Sequence, residues 1–209
     1  MGIRRVKAAR LKLQILEHTI KLIGKKSFED LHVDHVCDKV KVSKVTFFKY
    51  FPQKEDILLY YHRIWCFNRA VDLELKKKEG LAGLTYIFDR MSDEYENYPG
   101  LLLSLVGYLS SLKRKPKPMG VKLEEKQLLY PDHPEIKNVE ILSIDQMIEK
   151  FVLEAIFKKE IVRSSATRDI SNLLLTVLYG SIIVAHTKQQ SPVKLFFRRN
   201  LDMVLKSVT

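Results

Sequence analysis

Lys44, Thr46, Lys49 and Tyr50 place two cations, a hydroxyl and a phenol on one short stretch of chain. Helical spacing turns Lys44, Val45, Thr46, Phe48, Lys49 and Tyr50 toward an open side. Val33, Val36, Val40, Val42, Phe47 and Phe51 recur as apolar positions that bury a junction between helices. Cations and hydroxyls so grouped are suited to holding phosphate oxygens and meeting base edges. The elements that position them are equally plain. A short helix over 33–40 and a tight turn around Val40–Ser43 lead into a second short helix, for which Ser43 is a good N-cap. Such a pair is a helix-turn-helix, whose second helix can lie in a major groove.

Charge points the same way. Of the 209 residues, 1–54 hold 13 Lys/Arg against 5 Asp/Glu, a net of +8, while the remaining 155 carry a net of only +3. A small basic head on a near-neutral body predicts that one end meets a polyanion. At 46% hydrophobic and 29% charged, the chain excludes a disordered tail, a collagen-like repeat and a coiled-coil rod. Only 8 Gly and 7 Pro argue against an all-β protein punctuated by tight turns.

The periodicity is helical nearly throughout. Leu13, Leu16, Ile20 and Ile23 mark a first amphipathic helix ending near Gly24. After the helix-turn-helix, Pro52 precedes a long helix over 54–78. Further helices are predicted over 81–96, 99–112, 121–130, 135–159, 167–189 and 192–207. KRKPKPMG (113–120) is the one evident linker. The fold class is all-α, with about nine helices. The longest apolar runs, 101–112 and 173–185, are shorter than a membrane span, so the expectation is a cytoplasmic protein with no membrane partner. Cys37 and Cys66 are too few for a disulfide framework.

No catalytic residue, cofactor or metal is expected. There is no GxSxG and no glycine-rich dinucleotide fingerprint, and GKKS (24–27) is not a P-loop, because Thr19 stands where its first glycine belongs. His32 and His35 share the second helix without enough partners for a metal.

Over residues 8–58 the sequence resembles the DNA-binding domain of the TetR/AcrR family of bacterial transcriptional regulators. Phe28, Val33, Val36, Val42, Ser43, Lys44, Thr46, Phe47, Tyr50, Phe51, Lys54, Glu55 and Leu58 carry the likeness. It implies a three-helix DNA-binding domain over 1–54 and a helical ligand-binding and dimerisation domain over 55–209. The partner is then a double-stranded DNA operator, met by His32, Val33, Lys41, Ser43, Lys44, Val45, Thr46, Phe48, Lys49, Tyr50 and Lys54. His32 stands where the family brings a helix N-terminus to phosphate. Three positions depart from the pattern. Lys41 replaces the turn glycine, so the turn is expected to form without a residue free to take positive φ, at some strain. Val45 offers an apolar contact, such as a thymine methyl. Phe48 keeps the ring of a phosphate-binding tyrosine and loses its hydroxyl.

The resemblance further implies a repressor that a small, mostly apolar ligand releases from its operator. Trp65, Met91, Tyr95, Tyr108, Phe151 and Tyr179 are the pocket candidates within 61–186. The alternative is a DNA-binding scaffold or partner-binding protein of the same fold, with a filled core and no inducer. Helices 167–189 and 192–207 are expected to form a homodimer, since LLLTVLYGSIIVA is apolar on nearly all sides and Gly180 and Ser181 let a partner helix approach.

Overall fold

A computed structural model describes residues 2–24, 26–114, 116, 119–161 and 166–208. Among them ten α-helices and two 3-10 turns occur and no strand, so the chain is all-α. Packing divides it into two compact units: residues 1–67 with 100–140, and 68–99 with 141–209. These units do not follow a 54/55 division, because a segment from the middle of the sequence packs with the N-terminal helices.

In the first unit, α1 (Ile3–Ile23) buries Ala9, Ile15, Leu16, Thr19 and Ile23. It packs against α2 (Val33–Val40) and α7 (Leu123–Leu129). Between α1 and α2 a 3-10 turn, Phe28–Asp30, starts at Ser27, whose hydroxyl accepts from Glu29 N. Helix α3 (Lys44–Tyr50) packs on α2. The first part of α4 (Asp56–Lys76), α6 (Pro99–Ser111) from Gly100 onward, and a 3-10 turn at Pro134–Asn138 complete the unit. Phe47, Phe51 and Tyr60 form a chain of ring contacts between α3 and α4, with centroids 5.8 and 5.6 Å apart. Full burial of these rings makes the core of this unit; losing one such phenylalanine side chain costs about 3–5 kcal/mol.

In the second unit, α5 (Gly80–Asn97), α8 (Ile144–Phe157), α9 (Thr167–Thr187) and α10 (Val193–Val208) pack on one another. The free N–H groups that begin α5 are satisfied by carboxylates: Gly80 N donates to Glu154 Oε2 at 3.0 Å and Leu81 N to Glu160 Oε2 at 2.9 Å. Gly83 is needed for close approach, because a Cβ there would lie 2.3 Å from the Phe151 ring of α8. Helix α10 is tied to α5 by Arg198, which grips Asp89 through two hydrogen bonds of 2.6 and 2.7 Å, and by Lys194 at 3.1 Å from Asp93. Burial works to raise the Asp89 pKa, but the Arg198 hydrogen bonds and charge outweigh it and hold the carboxyl below its usual range.

The predicted elements are present with shifted ends. The segment expected as one helix over 135–159 is instead a 3-10 turn followed by α8, whose N-cap is Ser143, its N–H and hydroxyl both donating to Gln146 Oε1. Residues 115, 117 and 118 of the expected linker lie outside the described residues. The apolar run 173–185 extends in both directions. As α9 it covers 21 residues, 18 of which in a row reach a mean hydropathy of 1.5, long and apolar enough to cross a membrane. Its buried residues Ile170, Leu174, Leu178, Ser181, Ile182 and Ala185 recur on one face, the pattern of a helix packed in a core.

Candidate nucleic-acid interface

Two short helices and the turn between them present the surface. The turn is made by Lys41, which adopts the left-handed conformation at φ 59°, ψ 50°, with its N–H bonded to Cys37 O. Lys41 therefore takes positive φ where glycine would do so freely, and this is where the strain expected of the turn arises. A side chain in this conformation costs about 1–2 kcal/mol relative to glycine. Val42 N continues the closure by donating to Cys37 O at 3.0 Å. Ser43 caps α3 as predicted: its Oγ accepts from Thr46 N at 3.1 Å and lies 3.0 Å from Thr46 Oγ1. One of the orphan N–H groups of α3 is thereby satisfied within the protein.

The division into a buried and an open side is clear. Val36, Phe47 and Phe51 are buried, with Val33, Val40 and Val42 half-buried beside them. Lys44, Val45, Phe48 and Lys49 are exposed, Val45 at 80%, while Thr46 and Tyr50 are half-buried. An isolated valine so exposed on a helix surrounded by cations has no packing role and is free to meet a partner. His32 is the N-cap residue of α2, exposed, with its ring edge-on to His35 at 5.5 Å. Lys41 and Ser43 are exposed at the turn. Ten of the eleven residues expected at DNA thus lie on α2, the turn and α3.

Lys44 is held. Its ammonium lies 2.8 Å from Asp34 on α2, and that hydrogen bond and charge raise its pKa above the ordinary value. Lys54 is engaged elsewhere. Its Nζ lies 3.3–3.4 Å from the carbonyls of Phe28, Glu29 and Leu31 and 5.0 Å from the Phe28 ring centroid. Lys54 thus gathers carbonyls of the 3-10 turn and of Leu31, which follows it. Nothing in the local sequence signals this, since the carbonyls stand 23–26 residues upstream.

The six expected pocket residues are spread over both units. Trp65 and Tyr108 belong to the first; Met91, Tyr95, Phe151 and Tyr179 belong to the second. Trp65, Met91, Tyr95 and Phe151 are buried, Tyr108 and Tyr179 half-buried. Among the described residues no group of three His, Cys, Asp or Glu is placed to hold a metal ion.

Residues 15–61 match the family model of bacterial regulatory proteins of the tetR family. No curated protein matches the chain. Several solved structures share its fold over nearly full length. The reduced form of Escherichia coli NemR superposes with a TM-score of 0.60 at 13% identity, covering 96% of this chain and 98% of that one. A TetR transcriptional regulator from Rhodococcus sp. RHA1 gives 0.58 at 16% identity, covering 94% and 96%. The transcriptional regulator FadR of Bacillus subtilis, in complex with stearoyl-CoA, gives 0.55 at 13%, covering 94% and 99%. At such identities the likeness is one of fold.

Proposed function

Since the chain carries the helix-turn-helix domain of the TetR family of bacterial regulatory proteins, we propose that it is a homodimeric repressor that reads a DNA operator through α3. The observation that carries this reading is the outer face of α3, where Lys44, Val45, Phe48 and Lys49 are exposed over a fully buried Phe47. Lys49 and Tyr50 hold backbone phosphates in this reading. Val45 and Lys44 face base edges, Lys44 leaving Asp34 as it does so. His32, Val33, Lys41, Ser43, Thr46 and Phe48 border the same surface. The Lys44→Ala plus Lys49→Ala protein is expected to bind operator some tenfold or more weakly at equal salt. The salt slope should fall by roughly one unit per subunit, near 0.9 for the Lys49 phosphate contact removed. Fluorescence anisotropy over a KCl series measures both, and an unchanged affinity and slope would overturn the assignment.

DNA binding is assigned to 1–54, and ligand binding with dimerisation to 55–209. A small, mostly apolar ligand is the proposed inducer, in keeping with the stearoyl-CoA bound by the fold relative from Bacillus subtilis. Helix α4 gives its first part to one packing unit and its last turns to the other, so a ligand seated against its later turns acts on a helix rooted beside α3. For effective release the ligand must prefer the displaced state by several kcal/mol. One contact favours the alternative without an inducer: the Phe151 ring is packed directly on Gly83, as core side chains are. Trp65 is the single tryptophan and reports on the choice. Titration with stearoyl-CoA as the probe is expected to change its fluorescence saturably and to weaken operator binding in step. A saturable change with operator affinity intact would favour the scaffold.

A further inference from the structure

Four exposed cations gather beside the recognition helix without belonging to it: Arg4, Arg5 and Lys7 on α1, and Lys122 just ahead of α7. None has an ion-pair partner among the described residues. They line a cleft of about 1060 Å³ that also takes in Lys49 and Tyr50 of α3. Two carboxylates enter its lining. Glu125 is already bound to Lys12 at 3.4 Å and to Lys122 N at 2.8 Å, and Glu124 is buried. The cleft is therefore a cationic surface whose negative groups are neutralised or withdrawn from water. Several like charges without counter-charges repel one another, an arrangement stabilised when a polyanion enters.

We propose that this cleft extends the DNA interface, holding the phosphate backbone that flanks the half-site read by α3, with Lys122 supplying a contact from outside the helix-turn-helix. The proposal rests on the DNA reading given above. Lys49 and Tyr50 belong both to the cleft and to the outer side of α3, so a strand held at α3 continues into the cleft. From Arg4 to Leu11 the helix rises about 10 Å. That length serves two or three successive phosphates, at ~3.4 Å of axial rise per nucleotide.

The test uses the full-length chain and an operator that it selects from a random-sequence DNA pool. Two duplexes are compared, one ending at the outer base pairs of the half-sites and one longer by a helical turn on each side. The parent protein is expected to bind the longer duplex more tightly and with a steeper salt dependence. Arg4→Ala, Arg5→Ala, Lys7→Ala and Lys122→Ala combined should abolish that gain, lowering the slope on the longer duplex by roughly three to four units per subunit. Binding to the shorter duplex should stay as in the parent. Lys122→Ala alone should remove about one unit. Thermal unfolding by circular dichroism should coincide with that of the parent, since all four side chains are exposed. Equal weakening on both duplexes, or no weakening on the longer one, would overturn the proposal. If the parent enriches no sequence and binds neither duplex, the DNA reading itself falls, and the cleft's role with it.

Discussion

Replacement of Lys12 by alanine is expected to destabilise the protein by about 3–5 kcal/mol, the usual consequence of stranding one member of a buried ion pair. Lys12 on α1 is 11% exposed and its partner Glu125 on α7 only 1%. Burial is the largest influence on Lys12 and lowers its pKa despite the opposing pull of Glu125. The ammonium also lies 3.7 Å from the ring centroid of Tyr60, which is itself fully buried on α4. One charge therefore joins three helices of the first packing unit. Without it, Glu125 keeps the N–H of Lys122 and no cation. Denaturant unfolding of Lys12→Ala measures the loss. The double substitution Lys12→Met with Glu125→Leu is the control, expected near the parent because buried pairs exchange for apolar side chains at little net cost. A single substitution within about 1 kcal/mol of the parent would mean that water enters and rescues the carboxylate.

That ion pair also shows where sequence reading stops. The helix-turn-helix was legible because its determinants are local: Val36, Phe47 and Phe51 mark a buried face, and Ser43 three residues before Thr46 marks a helix start. Lys12 and Glu125 stand 113 positions apart, and no periodicity brings them together. Segment 100–140 reads as further helix interrupted by a linker, yet it packs with the N-terminal helices. The same holds for Lys54. The resemblance set Lys54 among the residues that meet DNA, and no local pattern foretells that its ammonium lies against the carbonyls of Phe28, Glu29 and Leu31. At Lys41 the loss of glycine signalled a strained turn, and the Cys37 carbonyl, which accepts from both Lys41 and Val42, holds positive φ there in spite of the side chain. The start of α8 could have been found, since Ser143 and Gln146 form a capping pair within the apolar stretch.

Charging the outer face of α9 and α10 is expected to convert a dimer into monomers and to weaken operator binding by about 10²–10⁴-fold, the advantage that linking two half-site contacts confers. The face is apolar and open. Val177, Gly180 and Val184 on α9, with Asn200, Met203 and Ser207 on α10, fall at three- and four-residue steps around a groove of about 350 Å³. Met203 is 64% exposed and Val184 40%, and nothing lies within 4 Å of the Cβ position of Gly180. Leu173 and Ile183 add further exposed apolar surface on α9. A second copy of the chain is the occupant proposed, because a repressor needs two recognition helices to cover an operator of useful length. Gly180 and Ser207 are small enough for helices to cross closely at such a seam. In the Val184→Glu plus Met203→Glu protein, association would bury four uncompensated carboxylates, while each monomer folds as before because both positions already face water. Sedimentation should show the parent at twice 24.4 kDa and the variant at 24.4 kDa. A duplex holding a single half-site should bind both proteins alike, which separates lost pairing from a damaged reading head. A variant that remains dimeric would place the interface elsewhere, and a parent that sediments as a monomer at micromolar concentration would remove the dimer from the proposal altogether.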